Sequence, residues 1–120
     1  LYDQNSFNKT GLPEQVNENP FGLTNMLGNV REFCADYYSK NIYKSYVDKG
    51  SVDDPTGPAD GKEFVIRGGS FKSDASDVRI SARDHTRNDA WLLTDPQIPK
   101  SIWWYSDCND VGFRIVCEEN

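Results

Sequence analysis

Long apolar runs are missing from this sequence: no stretch approaches the ~20 residues that cross a bilayer, so no membrane-spanning helix is expected. Histidine is almost absent. His85 is the single copy, too few for a histidine metal cluster, and no Ser/His/Asp arrangement can be built around it. Cysteine is scarce and odd in number. Cys34, Cys108 and Cys117 lack the close pairing of a zinc ribbon or a redox motif, which leaves one disulfide plus a free thiol, or three buried thiols. Excess positive charge is lacking as well: 13 Lys and Arg against 19 Asp and Glu give a net charge of -6. Such a chain repels a phosphate backbone, so nucleic acid is excluded as a partner. The opening residues, Leu1 to Ser6, carry neither the basic nor the apolar block of a signal peptide, and there is no initiator Met. The expectation is the interior or C-terminal part of something longer, with the compartment left open.

What is present fits one domain. A 120-residue chain can bury a single core, and 37% hydrophobic with 12% aromatic content is too rich for disorder. Nine Gly and six Pro imply a body dominated by loops. Residues 1–18 read as an irregular lead-in, and residues 50–62, with two prolines and three glycines, as a turn-rich loop. Phe64 to Arg67 reads as a short strand halted by Gly68-Gly69. Val78, Ile80 and Ala82 alternate with Arg79, Ser81 and Arg83 as a half-buried strand does. The final strand is read at Val111 to Cys117, central in its sheet, with Phe113 and Ile115 in the core and Arg114 hydrogen-bonding on the opposite side. Gly112 is expected where another backbone comes close. After Gly28 the pattern is ambiguous: Val30, Phe33, Cys34 and Tyr37 fit a helical face, whereas Val30, Glu32 and Cys34 alternate with Arg31, Phe33 and Ala35 as in a strand.

Four ordered motifs stand out: Asn19-Pro20-Phe21-Gly22-Leu23-Thr24-Asn25-Met26-Leu27-Gly28-Asn29-Val30-Arg31-Glu32-Phe33-Cys34, then Val65-Ile66-Arg67-Gly68-Gly69-Ser70-Phe71, then Arg79-Ile80-Ser81-Ala82-Arg83, then Val111-Gly112-Phe113-Arg114-Ile115-Val116. Together they resemble the formylglycine-generating enzyme family, also called the sulfatase-modifying factor family. The resemblance implies an α+β, C-type-lectin-like domain, loop-rich with short strands, of which residues 19–120 form the C-terminal part and whose N-terminal half has no counterpart here. It selects a strand after Gly28. In lectin-like folds the terminal strands pair, so the edge of the last strand is expected to be covered by the lead-in or by another polypeptide.

The resemblance also implies a calcium site. Asn25 would supply a side-chain oxygen, Gly28 and Val30 backbone carbonyls, and Glu32 a carboxylate, a mixed hard-oxygen set that calcium accepts. The alternative is that Asn25 and Asn29 cap turns and Glu32 pairs with an Arg. Catalytic members bind copper through two cysteines shortly after the Arg-Gly-Gly-Ser element. Here Phe71 to Val78 contains none, and hydroxyls and carboxylates do not replace soft thiolates for Cu(I), so no copper is expected. Arg31 stands where the family carries an aromatic residue. Arg31, Ser70, Arg83, Trp103 and Trp104 are candidate groove residues. Arg67, Arg79, Arg83 and Arg114 read as guanidinium staples for carbonyls and carboxylates. The acid pairs Asp53-Asp54 and Asp107-Asp110 read as solvated turns. The functional expectation is a catalytically silent binding or structural module of a larger cell-envelope or secreted protein, with a peptide, glycan or other polypeptide as partner. A divergent oxidase completed by a missing half and a variable lectin-like ligand-binding protein are the alternatives.

Overall fold

The computed structural model describes residues 1–92, 105 and 108–119. The lead-in has one 3-10 turn at Pro13–Gln15 and otherwise no regular structure. Strand β1 (Arg31–Tyr37) begins directly after the Gly28-Asn29 turn, so the chain takes the extended of the two alternatives. Helix α1 (Ile42–Lys49) follows, then β2 (Phe64–Arg67), β3 (Arg83–His85), the short helix α2 (Asn88–Trp91) and β4 (Val111–Gly112).

The four strands form one mixed sheet in the order β3-β2-β1-β4. β2 lies antiparallel to β1, with Glu32 opposite Arg67 and Phe33 opposite Ile66. β3 lies antiparallel to β2, with Ile66 opposite Asp84 and Arg67 opposite Arg83. β4 runs parallel to β1, Arg31 opposite Val111 and Glu32 opposite Gly112. Side chains directly across neighbouring strands share a face, and successive residues alternate. The register therefore puts Arg31, Phe33, Ile66 and Asp84 on one face and Glu32, Arg67 and Arg83 on the other. Val65, Ile66 and Phe71 are the buried apolar side chains among the described residues, with Ile66 fully enclosed at 0% exposure.

Two glycines position the first two motifs. Gly28 (φ 77) donates its N–H to the Gly68 carbonyl at 2.6 Å, and a Cβ on it would lie 2.0 Å from the Leu1 carbonyl oxygen. Gly68 (φ 91) turns the chain out of β2 where a Cβ would lie 2.9 Å from the Met26 carbonyl oxygen. Both positions combine a left-handed backbone with contact against main chain, which only glycine accepts without strain.

Three sequence expectations are corrected. Val78 to Ala82 is not a strand: a 3-10 turn at Ala75–Asp77 precedes it, Ala82 N–H closes a turn on the Arg79 carbonyl, and Ile80 is 81% exposed. The ladder starts later, at Arg83. The last strand is not central: among the described residues only Val111–Gly112 pairs, at the sheet edge, and Phe113 and Ile115 are exposed at 75% and 88%. With β1 on one side and no described strand on the other, the alternating apolar residues have nothing to pack against among the described residues. Gly112 meets a side chain, Val30 Cγ2 at 3.1 Å from a Cβ built there, not another backbone. The hydrogen bonding expected of Arg114 is present. The lead-in leaves the β4 edge alone: Asp3 N–H bonds to the Ser73 carbonyl at 3.0 Å, and the Leu1 carbonyl accepts from Asn29 N–H at 2.8 Å.

Helix α1 was not anticipated, although Tyr43, Tyr46 and Val47 recur at helical spacing. Its signal is weak because it buries no residue. Tyr46 ties it to the turn-rich loop by accepting the Gly57 N–H at 3.1 Å.

Candidate functional site

The turn after β2 and the start of β1 build a polar cleft. Ser70 is 1% exposed and donates its hydroxyl to Asp110 Oδ2 at 3.0 Å, while accepting Lys72 N–H at 3.2 Å. Arg31, on the same face, donates from Nη2 to Asp110 Oδ2 at 2.9 Å and from Nη1 to Asp84 Oδ2 at 3.3 Å. Its backbone N–H takes the Asp110 carbonyl at 2.8 Å. Its guanidinium carbon also lies 5.4 Å from the centroid of the Trp91 ring, within cation–π range. Arg87 grips Asp84 from the other side, with Nη2 3.0 Å from Oδ1. The result is a chain of alternating charges, Arg87–Asp84–Arg31–Asp110, ending on the Ser70 hydroxyl. A cleft of about 290 Å³ opens beside it, also lined by Ser73 and Asp77.

Burial pushes the Asp84 carboxyl up, but the His85 N–H, the hydrogen bond from Arg87 and the charges of Arg87 and Arg31 outweigh it and hold the group below its ordinary value of 3.8. It stays ionised at neutral pH. The Ser70 hydroxyl meets a carboxylate that Arg31 already holds. His85 lies elsewhere, its Nδ1 at 2.6 Å from the Thr86 carbonyl and its ring stacked on Tyr38.

Of the expected groove residues, Arg31 and Ser70 are brought together through Asp110. Arg83 contributes to the cleft wall, but its guanidinium lies over Tyr38 and Tyr43, 5.0 Å and 4.6 Å from their centroids. Trp103 and Trp104 lie outside the described residues, as does Asp107. Asp110 corrects the expectation of a solvated turn, being 7% exposed. Asp84, Arg87 and Asp110 were missed as site residues. The available signal was that Asp84 and Asp110 each directly adjoin an arginine- or glycine-bearing motif whose cations need anions.

On the opposite face, both oxygens of Glu32 accept from Arg114, Nε to Oε2 and Nη2 to Oε1, each at 2.6 Å. Arg114 Nη2 also contacts the carbonyls of Thr24 at 3.1 Å and Asn25 at 3.4 Å. Asn25 takes a left-handed φ of 53, and the Asn29 side chain accepts Gly11 N–H at 2.9 Å. Of the expected oxygen set, the Glu32 carboxylate is thus held by a guanidinium, together with the Thr24 and Asn25 backbone carbonyls. Arg67 and Arg79 likewise donate to backbone carbonyls, those of Ile80 and Ser76.

No disulfide joins the three cysteines. Cys34 and Cys108 are half-buried and Cys117 is exposed, so neither sequence alternative holds in full. Burial raises the Cys34 thiol above its ordinary value, against a lowering effect from Arg67. Among the described residues no three His, Cys, Asp or Glu side chains gather where they could hold a metal ion.

The family model for the sulfatase-modifying factor enzyme 1-like domain matches residues 2–91. The chain belongs to this family. Relatives include the serine/threonine-protein kinase pkn1 of Chlamydia pneumoniae, 41% identical over 70 residues, which are 58% of this chain and 11% of that protein. The formylglycine-generating enzyme of Thermomonospora curvata is 38% identical over 68 residues, 54% of this chain and 22% of the enzyme. That of Streptomyces coelicolor is 36% identical over 75 residues, 60% of this chain and 23% of the enzyme. Among solved structures, Treponema denticola variable protein 1 superposes with a TM-score of 0.61 at 24% identity, over 93% of this chain and 33% of that one, and it shares the fold. The chain therefore spans a minor part of each relative. The α+β assignment and the sulfatase-modifying-factor-like fold both stand.

Proposed function

We propose that this chain is a catalytically silent sulfatase-modifying-factor-like domain, a binding or structural module carried on a larger cell-envelope or secreted protein. The observation that supports this most strongly is the state of Ser70: buried, donating to Asp110, and locked there by Arg31. The rest of the post-glycine segment offers hydroxyls and carboxylates, such as Ser73 and Asp77, and no thiolate for soft-metal chemistry. A cleft walled by paired charges suits recognition of a polar group, such as a peptide side chain or a sugar hydroxyl cluster. The test is direct. The protein is incubated with a cysteine-containing peptide, Cu(I), reductant and oxygen, and the peptide is weighed for conversion to the aldehyde. No aldehyde and no stoichiometric Cu(I) complex are expected; a Cu(I) complex lost in Cys108→Ser, or aldehyde formation, overturns the reading in favour of a divergent oxidase.

A variable ligand-binding protein is the second reading, supported by the fold shared with Treponema denticola variable protein 1. Clustered variation between Phe71 and Asp110 among sibling genes would carry it.

Calcium at Asn25, Gly28, Val30 and Glu32 is also proposed, with Arg114 as its competitor, because a metal bound there must take Glu32 from the guanidinium. Arg114→Ala frees both carboxylate oxygens. Millimolar calcium is then expected to raise the melting temperature of the variant more than that of the unmodified protein, since a ligand bound only by the native state stabilises it. Adding Glu32→Gln should remove the response. Equal melting curves with calcium and with chelator in all three proteins would leave Arg114 as the cation of this cluster.

A further inference from the structure

Arg67 and Arg83 stand directly opposite each other on β2 and β3, and side chains at such positions share a face of the sheet. Like charges paired in this way destabilise a sheet. The neighbour of Arg67 on its other side is Glu32, but both carboxylate oxygens of Glu32 go to Arg114, at 2.6 Å each. Arg67 itself donates to the Ile80 carbonyl, and the Arg83 guanidinium lies over the rings of Tyr38 and Tyr43, so both cations are positioned by neutral groups. Both line the polar cleft, where Arg31 and Arg87 join them against two carboxylates, Asp77 and Asp84. Asp84 is already shared between Arg31 and Arg87. Arg31 Nε is in addition enclosed by the fold with no hydrogen-bond acceptor among the described residues. In a chain of net charge -6, four guanidinium groups line one space of about 290 Å³.

We infer that the cleft binds a carboxylate carried on a residue-sized group, such as an acidic side chain or the end of a polypeptide, with Arg67 and Arg83 as its principal contacts. A carboxylate presents two coplanar oxygens that match the fork of a guanidinium, and an anion set between Arg67 and Arg83 turns their mutual repulsion into shared attraction. The space is near the lower end of small-molecule sites, enough for one residue and not for an extended chain. Asp77 and Asp84 in the wall repel a second negative charge, which favours a monoanion over a phosphate dianion. The inference rests on the reading of the chain as a binding module and names the group that is recognised.

The experiment titrates the full chain, at mildly alkaline pH, with four probes: N-acetylglycine as a chain end, the α-amide of N-acetylglutamate as an acidic side chain, neutral N-acetylglycinamide, and inorganic phosphate. Thermal melts and proton–nitrogen NMR read binding, and the Arg31 Nε–H, shielded from solvent, is a reporter in the cleft wall. Saturable binding of one or both carboxylates is expected, with a rise in melting temperature, because an anion bound only by the native state stabilises it. Whichever carboxylate binds tighter names the source. Arg67→Gln or Arg83→Gln should each weaken it about tenfold, whereas Lys9→Gln, which removes the same charge from the lead-in, should leave it unchanged. Asp77→Asn, a change at an exposed position, should raise the affinity for phosphate more than that for the carboxylates, since a dianion feels the removed charge twice. The titrations on unmodified protein keep the test valid if an arginine variant fails to fold. Binding of N-acetylglycinamide equal to that of the carboxylates overturns the proposal. So does tighter binding of phosphate to the unmodified protein, or the lack of saturable binding by either carboxylate. Because aldehyde formation is read separately, loss of the silent-module reading and loss of this carboxylate site are distinguishable.

Discussion

Asp110→Ala is expected to lower the stability of the chain by about 3 kcal/mol, measured as a shift in the denaturant midpoint at unchanged slope. Removing the carboxylate leaves the Ser70 hydroxyl without its acceptor inside the fold and leaves Arg31 with Asp84 alone, at 3.3 Å and on a carboxyl that is 40% exposed. A mostly buried guanidinium that loses its closer partner keeps its desolvation cost and forfeits the compensating attraction. Asp110→Asn retains an acceptor and loses only the charge, so it should fall between the two. In an Arg31→Met background the same Asp110→Ala change should cost clearly less, because the two residues act as one unit. A loss within about 0.5 kcal/mol in the unmodified background, the range of ordinary surface changes, would show that the ion-pair chain does not stabilise the turn.

Ile66→Ala should be the most damaging apolar truncation, at about 4 kcal/mol within the usual 2–5 for emptying such a site. Ile66 is fully enclosed, sits on a strand with a neighbour on either side, and shares the described apolar core with only Val65 and Phe71. In a domain whose total stability is of order 5–15 kcal/mol, that loss leaves as little as about 1 kcal/mol, at which roughly a sixth of the population is unfolded at 37 °C. Phe113→Ala is the matched control. Its ring is larger, but at 75% exposure it has little to lose, and a change within about 0.5 kcal/mol is expected. Thermal melts of the two variants separate the register described here from one in which Phe113 points inward. The reverse order of effects would mean that β4 extends and turns over.

Much of the sheet was legible because local signals agreed with the final packing. Phe64 to Arg67 is a short β-rich run ended by two glycines that take left-handed angles, and it forms β2 as written. The segment after Gly28 was undecided by periodicity alone; partners on both sides, β2 and β4, settle it as a strand, and those partners lie far away in sequence. The errors share one physical origin. Alternation at Ile80 and at Phe113 to Val116 states what a strand would bury, not whether a neighbour exists to bury it against. The site was half legible for a related reason. Arginines announce themselves by belonging to motifs, and Arg31 and Ser70 were found in that way. Their acids were not, because Asp84 and Asp110 look like any loop carboxylate until the sheet brings residues 53 and 79 positions from Arg31 into contact.

The contact between the two glycine turns bears on how such a domain can be recombined. Gly28 N–H bonds to the Gly68 carbonyl, Phe71 N–H bonds to the Asn29 carbonyl, and Leu1 lies against Gly28 so closely that no side chain fits between. These segments behave as one splice unit. A chimera that imports the first glycine turn from a relative must import the second and the opening residues with it. A junction placed in the loop of residues 50–62 would part the two turns, whereas one beyond Phe71 would keep them together.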